Sequence, residues 1–209
     1  MQNQLIKCTI LIGLIIFLIP SGCARSPQSR FYLLQPISLP ADIKSTLPGQ
    51  KEIGITIGPI IVPKYLDRPQ IVTQNSAQEI KLAEFERWAE PLKDNISRVL
   101  AENLATLLNT DRITIFPRTN SSSINFRVII EILSFTGELR GNAYLKARWT
   151  LWENSERNDK ELMTKIANFT QPTAGTEYKD FIFAQSQNLS QLSEEIAQAI
   201  KNFAAAYNY

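Results

Sequence analysis

Histidine is missing from all 209 residues, and with it goes the commonest general base and metal ligand near neutral pH. A serine–histidine hydrolase, a cysteine–histidine protease and a zinc site built from histidine and cysteine are excluded on composition alone. Cysteine is nearly as scarce. The two present, Cys8 and Cys23, both precede the main body, so residues 24–209 form no disulfide and their stability rests on packing. Glycine is sparse as well, eight in all, and no GxGxxG or Walker-type phosphate loop occurs. A strong excess of either charge is also lacking, with 22 Lys and Arg against 20 Asp and Glu. Lys7 is the only charged residue before Cys23, so the chain beyond Cys23 is almost neutral, without the basic stripe of a nucleic-acid or polyanion binder. Paired carboxylates remain chemically open, but 20 acidic residues give chance pairs in any fold. No catalytic residue, metal site or cofactor is expected.

What is present begins with MQNQLIKCTILIGLIIFLIPSGC. Thr9 to Ile19 form an apolar run of the length of a signal-peptide core, too short to read first as a spanning helix. It ends in Pro20-Ser21-Gly22-Cys23, small residues leading to a cysteine, which resembles the lipobox of bacterial lipoproteins. Pro20 stands where leucine is usual. In that reading Cys23 is diacylated on sulfur, the signal is cut ahead of it and the new amine is acylated. Two or three acyl chains anchor stably where one does not. The other reading is an uncleaved anchor with an incidental cysteine. The expected organisation is a lipoprotein signal peptide over 1–22, a polar lipidated tether over 23–30 and one domain over 31–209, long enough for a real core.

Along the domain, Phe31-Tyr32-Leu33-Leu34 reads as a first strand and Pro36 to Gln50 as loop. Ile53, Ile55 and Ile57 alternate with Gly54, Thr56 and Gly58, a half-buried strand, and Pro59 and Pro63 bracket an edge or bend. Gln70 to Thr73 and Glu79 to Phe85 form a strand pair around Gln74-Asn75-Ser76. Leu92, Ile96, Val99, Leu100, Leu104, Leu107 and Leu108 make one apolar helical stripe, with Pro91 at its start and Asn109 as its stop. Ile113 and Ile115 are a short strand. Phe126 to Phe135, Ala143 to Trp152 and Met163 to Phe169 alternate as an antiparallel meander. From about Tyr178 to Tyr207, Phe181, Ile182, Gln185, Leu189, Leu192, Ile196, Ala199, Ile200 and Phe203 keep the helical period. The expectation is an α+β fold: a largely antiparallel or mixed sheet with two amphipathic helices on one face, in a single domain.

Two strings are more specific. Pro63-Lys64-Tyr65-Leu66-Asp67-Arg68-Pro69-Gln70-Ile71-Val72 and Arg87-Trp88-Ala89-Glu90-Pro91-Leu92 resemble the signature blocks of the PqiC-like transport auxiliary lipoproteins, found beside MCE-domain and ABC-transporter subunits. Phe31-Tyr32-Leu33-Leu34, Arg98 to Leu104 and Leu192 to Ala197 fit the same family. The resemblance implies a non-catalytic outer-membrane lipoprotein, facing the periplasm, docked on an MCE-domain subunit that moves lipids between membranes and supports membrane integrity. Ala24 after the acylated cysteine is consistent with outer-membrane sorting, since aspartate there is the usual inner-membrane retention signal in enterobacteria. The alternatives are a stand-alone periplasmic lipid- or lipopolysaccharide-binding lipoprotein and, more distantly, a carboxylate-based glycan hydrolase.

The residues themselves leave two readings open. Tyr65, Leu66, Asp67 and Arg68 lie between prolines that stiffen the backbone, so they are either a docking surface for a partner or neighbouring protomer, or a turn in which Asp67 and Arg68 pair while Tyr65 and Leu66 cover the sheet. The same loop would allow identical chains to close into a ring. Trp88 is either a core residue or an exposed anchor. Arg87 and Glu90 are either its solvated neighbours or ion-pair partners of Asp67 and Arg68.

Overall fold

The computed structural model describes residues 27–38, 53–76, 78–117, 124–154 and 159–207. The expected signal segment and Cys23 lie outside these residues. In chain order the elements are β1 (Arg30–Tyr32), β2 (Ile55–Ile61), β3 (Gln70–Ser76), β4 (Glu79–Trp88), α1 (Leu92–Leu108), β5 (Ile113–Ile115), β6 (Phe126–Gly137), β7 (Asn142–Glu153), β8 (Lys160–Pro172) and α2 (Tyr178–Tyr207). The fold is mixed α+β, as expected, with its strands divided between two sheets. One has the order β1-β4-β3 and the other β5-β2-β6-β7-β8.

The meander β6-β7-β8 is antiparallel throughout. Its alternation sends Phe126, Val128, Ile130 and Ile132 to the same face as Ala147, Trp149 and Leu151, all at most 1 % exposed. Gly137 ends β6 at φ +153°, where a Cβ would lie 2.2 Å from the Asn142 carbonyl oxygen, so only glycine fits this turn. The remaining strands join less locally. β2 runs parallel to both β5 and β6, and β1 runs parallel to β4. β2 continues through Pro59 to Ile61, with a register shift between Ile57 and Ile60 and Gly58 at φ +106°. A bulge accommodates the proline, which lacks the donor a regular ladder would need.

Both helices cover the same face of the five-stranded sheet, α1 over β2 and β5, α2 over β6, β7 and β8. From α1, Leu92, Ile96, Val99, Leu100 and Leu104 are buried. Each contributes roughly 1.5–3 kcal/mol relative to exposure. Asn109 closes α1 in the left-handed region at φ 49°, a conformation its short polar side chain tolerates. In α2 the apolar stripe includes Gln185, fully buried. Its amide donates to the carbonyls of Thr136 at 3.0 Å and Tyr144 at 3.3 Å, so the polar group is satisfied where β6 turns into β7.

After β1 the chain crosses the seam between the helices as a strap, Leu33 to Ser38. Side chains from both helices hold its backbone. Leu34 N–H donates to Asn95 Oδ1 (3.2 Å), Gln35 N–H to Ser186 Oγ (3.1 Å) and Ile37 N–H to Asn103 Oδ1 (2.7 Å). Asn103 also donates to Ser193 Oγ at 3.0 Å, tying α1 directly to α2. Replacing Asn103 with alanine leaves the Ile37 amide without its acceptor, and an orphaned buried partner costs about 1–3 kcal/mol. Urea denaturation of Asn103→Ala should show a lowered midpoint with an unchanged slope. Wild-type stability in that variant would mean that packing alone holds the strap.

Candidate functional site

The segment between β2 and β3 is a tight loop with its own anchor. Leu66 N–H donates to the Pro63 carbonyl at 2.9 Å and Asp67 N–H to that of Lys64 at 3.3 Å, so the backbone turns within the span the prolines bound. Leu66 is 2 % exposed. Tyr65 packs partly buried against the core, and its hydroxyl bonds Ser134 on β6. Burial raises the Tyr65 phenol above its ordinary pKa, with the Ser134 bond acting in the opposite direction. Aromatic and leucine thus fix the loop, and the next two residues, Asp67 and Arg68, are the ones it presents.

The end of β4 meets this loop. Trp88 N–H donates to the Pro69 carbonyl at 2.7 Å, and Ala89 N–H to the Tyr32 carbonyl at 2.9 Å. Trp88 is 5 % exposed, its ring 6.4 Å from that of Phe135 and tilted by 50°, so it is mainly a core residue with one edge at the surface. Together Asp67, Arg68, Pro69, Trp88, Ala89, Glu90 and Pro91 line an open groove of about 340 Å³. Its far wall is the start of α1, which has no side-chain cap. The structure therefore brings Asp67, Arg68, Trp88 and Glu90 together, turns Tyr65 and Leu66 into the core, and places Arg87 on β4 between Phe31 and Gln70.

Charge in the groove is distributed unevenly. Glu90 pairs with Arg98 of α1 at 3.1 Å, not with Arg68. Arg98 also bonds Glu102, the Leu34 carbonyl and Asn95, so its donors are well used. Among the described residues neither Asp67 nor Arg68 has an ion-pair or side-chain hydrogen-bond partner. The Nε atoms of Arg68 and Arg87 are buried without an acceptor. Buried donors are rarely left unpaired in native proteins, and Arg68 carries its unmet donor at the groove wall. The sequence marks Arg98 only as the start of the family-like run Arg98 to Leu104, not as a site residue. Its spacing of four from Glu102 was legible, but its reach back to Glu90 crosses the helix start and has no local signature.

A second charged cluster, also unforeseen, clamps β1 beside the groove. Arg30 Nε donates to Glu86 Oε1 and Oε2 at 2.9 and 3.0 Å, and Tyr32 OH to Oε2 at 2.7 Å. Donation from Arg30 holds the Glu86 carboxyl below the usual carboxylate range, against the opposing effect of burial. Burial and the bond to Glu86 push Tyr32 up to about 12. A lowered carboxyl pKa means the unfolded chain binds the proton more readily. Its stabilisation is present above the unfolded carboxylate value of about 4.3 and is lost as pH falls through the folded value. Glu86→Gln should therefore melt below wild type at neutral pH, with the gap closing in acid. A gap independent of pH would assign the cluster's effect to shape instead of charge.

No curated protein matches this chain. An uncharacterized protein of known structure superposes with a TM-score of 0.65 at 18% identity, covering 83% of this chain and 99% of its own. Protein XCC0632 from Xanthomonas campestris does so with a TM-score of 0.64 at 15% identity, covering 81% and 93%. At these identities the likeness is one of fold. The sequence pattern of the ABC-type transport auxiliary lipoprotein component family matches residues 32–197, a span that includes the loop, the groove, α1 and the first two thirds of α2. The chain belongs to that family of ABC-type transport auxiliary lipoprotein components.

Proposed function

We propose that the protein is a non-catalytic, lipid-anchored subunit on the periplasmic face of the outer membrane, serving an MCE/ABC-type system that moves lipids between membranes and supports membrane integrity. The observation that carries this reading is the groove between the two motif segments, where Arg68 stands unpartnered beside Asp67 on a loop fixed by buried residues. A rigid backbone that presents a free cation beside a free anion is suited to protein docking, where arginine is a common anchor and pre-ordering lowers the cost of association. The partner proposed for it is the MCE-domain periplasmic subunit. A role limited to carrying lipid is less well supported. The cleft beside the strap sets Pro36, Ile37 and Phe183 among Gln35, Gln191 and Glu194, a mixed lining and not the continuous apolar wall of an acyl-chain pocket.

The anchor is Cys23. In this reading attachment is by the acyl chains, at ~0.8 kcal/mol per buried methylene; no helix among the described residues is long and apolar enough to cross a membrane. Mass spectrometry of the mature protein should find Cys23 acylated at the N-terminus, and the protein should stay with membranes through salt and carbonate washing. An unmodified Cys23 would remove the tether.

Docking is tested by Arg68→Glu. The variant should fold normally, because the half-buried Arg68 side chain has no hydrogen-bond or ion-pair partner among the described residues to lose. Loss of a central arginine contact can cost ~2 kcal/mol, roughly thirtyfold in affinity. Co-purification with the MCE-domain subunit should be lost, whereas Lys146→Glu, on the exposed face of β7, should leave it intact. Retained co-purification with Arg68→Glu would place docking elsewhere. Light scattering on the same pair of variants distinguishes self-association of this chain through the loop from binding of a different subunit.

A further inference from the structure

Among the described residues, the large apolar side chains most exposed to solvent are Phe31, at 64 %, and Phe183, at 61 %. They lie far apart in sequence but at one corner of the fold. Phe31 is the middle residue of β1. Leu33, 40 % exposed, follows it into the strap. Phe183 stands less than one turn before Ser186, whose hydroxyl holds the amide of Gln35, and it lines the same cleft as Gln35, Pro36 and Ile37. The start of α2 reaches β1 as well, since Glu177 lies within the electrostatic reach of Arg30.

Among the described residues, Arg87 opposite Phe31 and Glu194 in the cleft with Phe183 carry no ion pair and are of opposite sign, and the other charges at this corner are bonded among themselves. Arg30 bonds Glu86, Lys179 lies 2.8 Å from Glu177, and Asp180 accepts the Glu177 amide at 3.2 Å. No large excess of either sign flanks the apolar side chains, so what the corner offers a partner is hydrophobic area. Aromatic side chains exposed in this way match the boundary between headgroups and acyl chains.

Position in the chain selects the occupant. Phe31 is eight residues after Cys23, and eight extended residues span at most about 28 Å. A chain held by acyl groups on Cys23 keeps β1 within about that length of the lipid surface, and the exposed aromatics decide which side of the fold turns towards it. We infer that the corner formed by Phe31, Leu33 and Phe183 rests in the headgroup region of the membrane to which the chain is anchored. The lipid surface thereby orients the fold as well as retaining it. The inference rests on the acylation of Cys23 proposed above.

The test uses the full chain in a Cys8→Ser background, so that an introduced cysteine is the one free thiol when Cys23 is acylated. Phe31→Cys, Phe183→Cys and Lys201→Cys are labelled with an environment-sensitive nitrobenzoxadiazole dye. The labelled chains are then reconstituted into vesicles of phosphatidylethanolamine and phosphatidylglycerol containing headgroup-proximal nitroxide lipid. Lys201 is exposed and lies 18 residues further along α2, about 27 Å by helical rise, and serves as the distant reference. Circular dichroism verifies that each labelled chain is folded. Labels at 31 and 183 should shift to the blue and lose fluorescence to the nitroxide, and the label at 201 should do neither. Equal or greater quenching at 201, or none at 31 and 183, overturns the orientation. Labels at 31 and 183 that respond only when the partner subunit or more of the same chain is added would make the corner a protein interface, and overturn it equally. If mass spectrometry finds Cys23 unmodified, the tether fails on its own account. The same labels in Cys23→Ser chains mixed with vesicles then decide the corner: a blue shift keeps it, and no shift removes it.

Discussion

The rest of the molecule depends on the polar seam at which α1, α2 and the strap meet. Two helices can cover one sheet face in many relative positions if only hydrophobic area is at stake, because burial is non-directional. Asn95, Asn103, Ser186 and Ser193 remove that freedom. Each is at most 6 % exposed and has hydrogen-bond partners on another segment. A shift of either helix would leave several of these groups buried and unpaired, at a cost comparable to a good part of a domain's net stability. The seam therefore fixes where α1 begins, and with it one wall of the groove. It also fixes where α2 begins, and so brings Phe183 to the same corner as Leu33.

Much of this was legible in the sequence wherever the signal was local. The stripes over Leu92 to Leu108 and Phe181 to Phe203 mark helices whose inner faces are buried, and the alternation from Phe126 to Phe169 marks the meander. The division into two sheets was not legible. It depends on β1 pairing with β4 and on β2 entering between β5 and β6, parallel contacts between segments far apart in sequence. Such pairing is decided by which edges are free once the helices have packed, and no short pattern encodes it. The same limit applied at Pro59, where a proline argues for an edge or a bend. A bulge carried the strand past it while β6 supplied pairing on one side.

At the site, residue types were easier to read than directions. The string Tyr65-Leu66-Asp67-Arg68 holds two apolar and two charged residues, and which pair faces the core depends on the turn that the amides of Leu66 and Asp67 make with Pro63 and Lys64. That turn sends Leu66 inward and leaves the charged pair outside. For Glu90 the sequence offered Arg68 as one partner. The structure supplies Arg98 instead, because the first turns of α1 bring Arg98 alongside the groove wall. The difference matters chemically. Had Glu90 taken Arg68, the groove would hold a closed ion pair on each side. With Glu90 committed to Arg98, the Arg68 guanidinium is left with unmet donors.

Near-neutrality of the main body sharpens the meaning of that unpaired arginine. In a strongly cationic protein an unpaired guanidinium is one of many and contributes mostly to a diffuse field. Here Arg30, Arg98, Arg127, Arg148, Lys165 and Lys179 are matched to carboxylates, while Arg68, like Arg87 with its own unmet Nε, is not, and long-range steering is weak at physiological ionic strength. The docking proposed for the groove would then be short-range, set by shape and by the direction of the Arg68 donors. The three-stranded sheet is what gives those donors a fixed direction. The Trp88 amide ties the loop to β4 through Pro69, and the Ala89 amide ties the end of β4 to β1 through Tyr32. The strand nearest the proposed lipid anchor and the loop that presents Arg68 are thus joined by consecutive backbone hydrogen bonds. An orientation imposed on β1 is carried to the groove without passing through a flexible link.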